Sequence, residues 1–121
     1  MAKTILLIED EENLVELLKF RLEANGYSVE TASDGEDGLK KINKLKPDLV
    51  ILDVMMPKMH GYDVCRLSKE NAQTKTIPVI ILTAHIQAKD TEKAKECRAD
   101  AFVAKPFEPV ELLEKIRKLL K

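Results

Sequence analysis

Apolar positions along the chain follow two periods. Short runs of strand length fall at residues 5–8, 29–32, 49–52, 79–82 and 101–103. The third and fourth are unbroken and rich in Val and Ile, as strands buried on both faces are. The second alternates, as an edge strand does. Between the runs lie segments of helical period. Leu14, Leu17, Leu18 and Leu22 mark one stripe. Ser33-Asp34-Gly35-Glu36 opens a second helix in a capping-box pattern, and that helix carries Leu39 and Ile42. A third helix follows Gly61, with Val64 and Leu67 inward. A fourth spans about residues 87 to 97, and the last opens at Glu108-Pro109 and carries Leu112, Leu113, Ile116, Leu119 and Leu120.

Five strand–helix units in strict alternation predict an α/β fold, a five-stranded parallel sheet with helices on both faces. Residues 1–121 read as a single domain, with no linker, repeat or low-complexity tract. The fourth helix has little to bury beyond Ala94 and Cys97, which suits either a solvated surface helix or a movable element.

Composition narrows the function. The formal net charge is −1. Direct nucleic-acid binding usually shows a basic excess, and base stacking needs more aromatics than this chain has. Cys65 and Cys97 form no Cys-x-x-Cys pair and have no His at zinc-finger spacing, so two buried thiols in a reducing compartment are expected. The apolar run after Met1 is too short for a signal-peptide core, and no run approaches a bilayer span. A cytoplasmic protein without membrane contact is the expectation.

In a parallel α/β sheet, ligands bind at the carboxyl ends of the strands, near the point where strand order reverses. Glu9 and Asp10 follow the first strand, Asp53 the third, Thr83 the fourth, and Lys105 and Pro106 the fifth. Each alone could be a helix cap or a turn residue. Together they supply what phosphoryl transfer to a carboxylate requires. Clustered carboxylates resist joint ionisation unless a cation joins them, and Mg²⁺ suits two carboxylates plus a backbone carbonyl. An Asp beside that cation can attack phosphorus. A Lys then neutralises charge on the transferring group, and a Thr hydroxyl can bond one of its oxygens.

The segments Ile8-Glu9-Asp10-Glu11, Leu52-Asp53-Val54-Met55-Met56-Pro57-Lys58-Met59-His60-Gly61, Leu82-Thr83-Ala84 and Phe102-Val103-Ala104-Lys105-Pro106-Phe107 resemble the receiver domains of two-component response regulators. The likeness runs through essentially the whole chain. It implies a doubly wound, flavodoxin-like sheet in the order 2-1-3-4-5. It implies that Asp53 is the phosphoacceptor, and that a sensor histidine kinase or phosphotransfer protein is the donor. Asp10, Asp53 and the backbone carbonyl of Met55 would bind Mg²⁺, with Glu9 acting through water. Lys105 would pair with the acceptor carboxylate and then with the phosphoryl group. Thr83 and Phe102 would act as the switch, and the Lys105-Pro106 bond would be cis. The output would be a partner-binding face on the fourth helix, fifth strand and fifth helix, recognised by a downstream protein target. The domain would be a monomer or a phosphorylation-dependent dimer.

Phosphorylation adds about −1.5 to −2 charges and three acceptor oxygens. Driving a two-state element from 1:99 to 99:1 takes about 5.5 kcal/mol. A few charge-assisted hydrogen bonds at roughly 1.5–3 kcal/mol each supply that.

Some positions depart from the family pattern. Glu9 stands where Asp is commoner. Arg98 stands where Gly usually ends the fourth helix in a left-handed conformation. Met55 and His85 occupy the positions that tune dephosphorylation. Met55 cannot hold an attacking water by hydrogen bonds, so a long-lived phosphoryl group is expected, while His85 could orient water or be merely solvated. Gly35-Glu36-Asp37-Gly38 lacks the Gly-Lys-Ser/Thr ending of a phosphate loop and reads as a helix start. An Asp-nucleophile phosphohydrolase would carry a second Asp where Met55 stands. A flavodoxin-type carrier would not place Glu9-Asp10-Glu11-Glu12 at a phosphate site. The chain is therefore expected to catalyse only its own phosphorylation and slow dephosphorylation. With no effector following Lys121, it acts by binding a partner, is a piece of a longer regulator, or is a phosphorylation-independent interaction module.

Overall fold

The computed structural model describes residues 2–54, 58–83 and 95–120. Five strands, β1 (Thr4–Ile8), β2 (Ser28–Ala32), β3 (Leu49–Asp53), β4 (Val79–Thr83) and β5 (Ala101–Ala104), pair in parallel in the order β2-β1-β3-β4-β5. This is the expected doubly wound order. Every residue of β3 and β4 is buried, which explains their unbroken apolar runs. The alternating β2 is an edge strand.

Because side chains alternate across a strand, the sheet feeds two cores. Leu6, Ile8, Val50, Leu52 and Ile81 point to one face and pack with Ile42, Val64 and Cys65. Those three come from α2 (Gly35–Leu45) and α3 (Gly61–Glu70). Ile5, Leu7, Leu49, Ile51, Ile80 and Leu82 point to the other face. There they meet Leu18 and Leu22 of α1 (Glu12–Ala24) and Leu112, Leu113 and Ile116 of the C-terminal helix (Pro109–Leu119).

Three local expectations need correcting. Leu17 is 47% exposed, as is the neighbouring Phe20 at 70%. The inward stripe of α1 is Leu14, Leu18 and Leu22, spaced by four, and Leu17 lies about 100° round the helix from Leu18. In α3, Leu67 is only half-buried, while Cys65 and Ser68 turn inward with Val64. The cap of α2 is Asp34 rather than Ser33. The Asp34 Oδ1 accepts from the backbone N–H of Asp37 at 2.7 Å, and this bond holds its carboxyl below the usual range. A one-residue shift suits Gly35, where a Cβ would strike the carbonyl oxygen of Met59. That contact seats the start of α2 against the loop after β3.

An ion pair between the buried Lys69 and the partly exposed Asp100 joins α3 to the far ends of β4 and β5. Lys69 Nζ donates to the Asp100 carboxylate at 2.7 Å and to the Ile77 carbonyl at 2.9 Å. The Asp100 carboxylate also accepts from the Val79 N–H at 2.8 Å, so both charges are met by further hydrogen bonds.

The fourth predicted helix falls largely on residues 84–94, outside the described residues. Residues 95–97 are helical and lead to Arg98, which is left-handed at φ 62° as its position implied. Lys46, which ends α2 before Pro47, and Lys58 also have positive φ. An L side chain at such an angle costs about 1 kcal/mol that Gly avoids. Arg98→Gly is therefore expected to raise the thermal midpoint by a few degrees. Thermal unfolding followed by circular dichroism checks this, and a lower midpoint contradicts it.

Candidate functional site

The parallel register brings the strand ends to one edge. Ile8 lies beside Leu52, Asp53 beside Leu82, and Thr83 beside Ala104. The residues that follow are thereby gathered. Glu9, Asp53 and Thr83 are buried, and Asp10 is exposed. Carboxylate oxygens of Glu9, Asp10 and Asp53 all lie within 4.8 Å of one another. Lys105 reaches into this group from beyond β5. Its Nζ is 3.0 Å from Glu9 Oε1 and 3.3 Å from Asp53 Oδ1. The Lys105 backbone N–H donates to the Thr83 carbonyl at 2.7 Å, and the Lys105-Pro106 peptide is cis.

The loop beyond Asp53 is held from below. The Val54 N–H donates to the Leu82 carbonyl at 3.2 Å, and the Gly61 N–H to the Val54 carbonyl at 2.8 Å. A Cβ on Gly61 would strike the Asp53 carbonyl oxygen and the Val54 Cα, so the start of α3 lies directly against the site backbone. Phe102 is half-buried and packs against the core that contains Cys97. The predicted roles of the Met55 carbonyl and of His85 lie outside the described residues.

Glu9 does more than its position alone revealed. Its Oε2 accepts from the backbone N–H groups of Asp10 and Glu11 at 3.1 and 3.2 Å, while its Oε1 takes the shorter of the two Lys105 contacts. Sequence reasoning paired Lys105 with Asp53 alone. The extra methylene of Glu9 was the available sign of longer reach. Gly35 and Gly61, as seats for the loop after β3, carried no sign of that role.

The electrostatics are unbalanced. Burial pushes the Glu9 carboxyl above the usual carboxylate range, the charge of Asp53 adds to this, and the Lys105 hydrogen bond only partly opposes it. Burial alone would lower Lys105, but the Glu9 hydrogen bond and the charges of Asp53 and Glu9 hold it above the usual lysine range. Glu9, Asp53 and Lys105 thus shift one another, on top of the cost of burial. An all-oxygen donor set with uncompensated negative charge fits a hard divalent cation. The fold and this edge define a doubly wound α/β domain with an acidic, cation-ready site at a topological switch point.

Comparison with known proteins agrees. Residues 5–117 match the response regulator receiver domain family. The chain is 43% identical over 121 residues to the alkaline phosphatase synthesis transcriptional regulatory protein PhoP of Bacillus subtilis, covering all of this chain and 50% of that protein. The receiver domain of a signal transduction histidine kinase from Syntrophus aciditrophicus superposes with a TM-score of 0.93 at 39% identity, covering 98% of this chain and 90% of that one. The chemotaxis response regulator CheY4 of Vibrio cholerae superposes at 0.92 and 30% identity, covering 99% of this chain and 100% of that one. The chain belongs to the response regulator receiver domain family. It is a phosphoryl-accepting domain of two-component signalling. It spans about half the length of the curated relatives it matches. Among the described residues no helix is long and apolar enough to cross a membrane.

The raised Glu9 carboxyl gives a signed expectation. A group whose folded pKa lies above its unfolded value stabilises the fold when protonated. That contribution is complete below the ordinary value of 4.5 and is lost as pH rises through the folded value. At neutral pH the Glu9 carboxylate therefore works against the metal-free fold. Glu9→Gln in chelator is expected to melt higher than wild type at pH 7, with the advantage shrinking toward pH 4. Melting curves across that range measure it, and an advantage that grows on acidification would refute the assignment.

Proposed function

We propose that Asp53 is the phosphoacceptor of this receiver. The observation that carries the reading is the buried Asp53 carboxylate, with Lys105 Nζ 3.3 Å from its Oδ1 and two further carboxylates beside it. The donor is a phosphohistidine on a sensor histidine kinase or phosphotransfer protein. A carboxylate oxygen of Asp53 attacks phosphorus, the P–N bond breaks, and the histidine leaves as neutral imidazole after taking up a proton. Asp10, Asp53 and the Met55 carbonyl would hold Mg²⁺ directly, with Glu9 acting through water. When bound, Mg²⁺ supplies charge neutralisation at the transferring group. Lys105 adds a second positive charge, already held on Asp53 in the resting domain.

After transfer, the phosphoryl oxygens offer Lys105 and Thr83 additional charge-assisted hydrogen-bond acceptors. Thr83 moves toward them, Phe102 turns inward behind it, and the surface of residues 87–97, β5 and the C-terminal helix changes for a downstream protein target. The domain itself makes no direct nucleic-acid contact, in keeping with its net charge of −1. It acts as a monomer or a phosphorylation-dependent dimer in the cytoplasm, where kinases draw phosphoryl groups from ATP. It is not an enzyme on other substrates and promotes only its own phosphorylation and slow dephosphorylation. The half-length match to transcriptional regulators supports a receiver that works within a longer regulator.

Incubation with acetyl phosphate and Mg²⁺ is expected to add one phosphoryl group by intact mass, lost in Asp53→Asn and in chelator. An unmodified wild type would favour a receiver that switches by binding alone. Met55 cannot position an attacking water, so Met55→Asn is expected to shorten the lifetime of the phosphorylated form. Equal decay rates for the two proteins would remove Met55 from control of hydrolysis.

A further inference from the structure

Two sulfurs meet on the α3 side of the sheet. Cys65 of α3 and Cys97, one residue before the left-handed Arg98, are both buried in the same core. They are 32 positions apart in the chain. Cys65 Sγ lies 3.4 Å from the Cys97 carbonyl oxygen, and the two thiols are hydrogen-bonded to each other. The phosphorylation chemistry uses neither. Cys97, though itself buried, forms part of the wall of a surface pocket of about 230 Å³ with His60, Tyr62, Asp63, Arg66 and Glu96, and Cys65 lies behind it. The hydrogen bond from Cys65 pulls the Cys97 thiol down to about 7 against its burial, and the Ala99 backbone N–H helps. The same pairing pushes Cys65 far up. Cys97 is thus the more readily ionised of the two sulfurs.

We propose that Cys97 and Cys65 form a redox-active dithiol, in which hydrogen peroxide enters by the pocket, oxidises Cys97, and Cys65 closes a disulfide. The Cys97 thiolate attacks one peroxide oxygen, the O–O bond breaks, and Cys97 becomes a sulfenic acid as hydroxide leaves. The Cys65 sulfur then attacks the sulfenic sulfur. The S–S bond forms, and the sulfenic oxygen leaves as water with the Cys65 proton. The two thiols are oxidised by two electrons, and one peroxide is reduced to two waters. The bond would join α3 to the residues that lead into β5.

The test uses the whole reduced chain, hydrogen peroxide and peptide mapping, with dimedone present in parallel samples. Wild type is expected to yield an intramolecular Cys65–Cys97 disulfide that a dithiol reductant reverses. Cys65→Ser should stop at a sulfenic acid that dimedone traps on Cys97. In Cys97→Ser the remaining thiol should react about tenfold more slowly or less, because the thiolate is the reactive form. Circular dichroism of each variant shows that it is folded, and Cys65→Ala repeats the trapping without a new hydroxyl. The proposal is overturned if methionines oxidise while both thiols survive, if dimedone labels Cys65 as fast as Cys97, or if disulfides form only between chains.

Discussion

Everything at the working edge depends on one shared ammonium. Parallel pairing in register brings strand ends together, so the carboxylates of Glu9, Asp10 and Asp53 cannot avoid one another. Lys105 answers two of them at once, at 3.0 and 3.3 Å. Two of the three carboxylates are buried, where like charges interact more strongly than in water. One lysine cannot balance three acids, and burial together with the charge of Asp53 holds the Glu9 carboxyl above its usual range. The edge is built for a charge it does not itself contain.

The remainder of the molecule supplies the stiffness that holds this cluster in place. Unbroken apolar runs in β3 and β4 fill both cores, so the strand that carries Asp53 is clamped from above and below. Gly61 lets α3 lie on the backbone of Asp53, and Gly35 lets α2 lie on Met59. At the opposite edge, Lys69 and Asp100 form a second, part-buried ion pair, but one whose charges match and whose spare donors and acceptors are met by backbone. The two pairs differ in kind. The balanced pair fixes strand starts, while the unbalanced cluster is left to respond to a new charge.

How much of this could be read beforehand follows from what each signal encodes. Strands announced themselves because burial on both faces forces continuous apolar residues, and the site because its acids follow strand ends. Arg98 was legible as a left-handed residue because the pattern calls for Gly there. Leu17 misled because four leucines within nine positions suggest one broad stripe, whereas only every fourth one faces the sheet. The cap moved from Ser33 to Asp34 because a tertiary contact, Gly35 against Met59, sets where α2 begins. The Glu9–Lys105 contact and the meeting of Cys65 with Cys97 join residues 96 and 32 positions apart. No local period encodes such pairs; they exist only once the sheet has closed.

The shared lysine also bears on how the proposed switch could work. In the resting domain Lys105 is divided between Glu9 and Asp53, and its shorter contact is to Glu9. A phosphoryl group on Asp53 would add about −1.5 to −2 charges beside the same ammonium. The lysine then has reason to leave Glu9, and Glu9 is buried with backbone N–H groups on only one of its oxygens. A bare Glu9 oxygen is costly unless a cation remains on that side. With Asp53 as the proposed phosphoacceptor, metal binding and phosphorylation would therefore be coupled through a carboxylate that takes no part in bond making. A cation at this site would keep Glu9 satisfied and leave Lys105 free to follow the phosphoryl group. Because the Lys105 N–H is bonded to the Thr83 carbonyl, a shift of that lysine also bears on the end of β4.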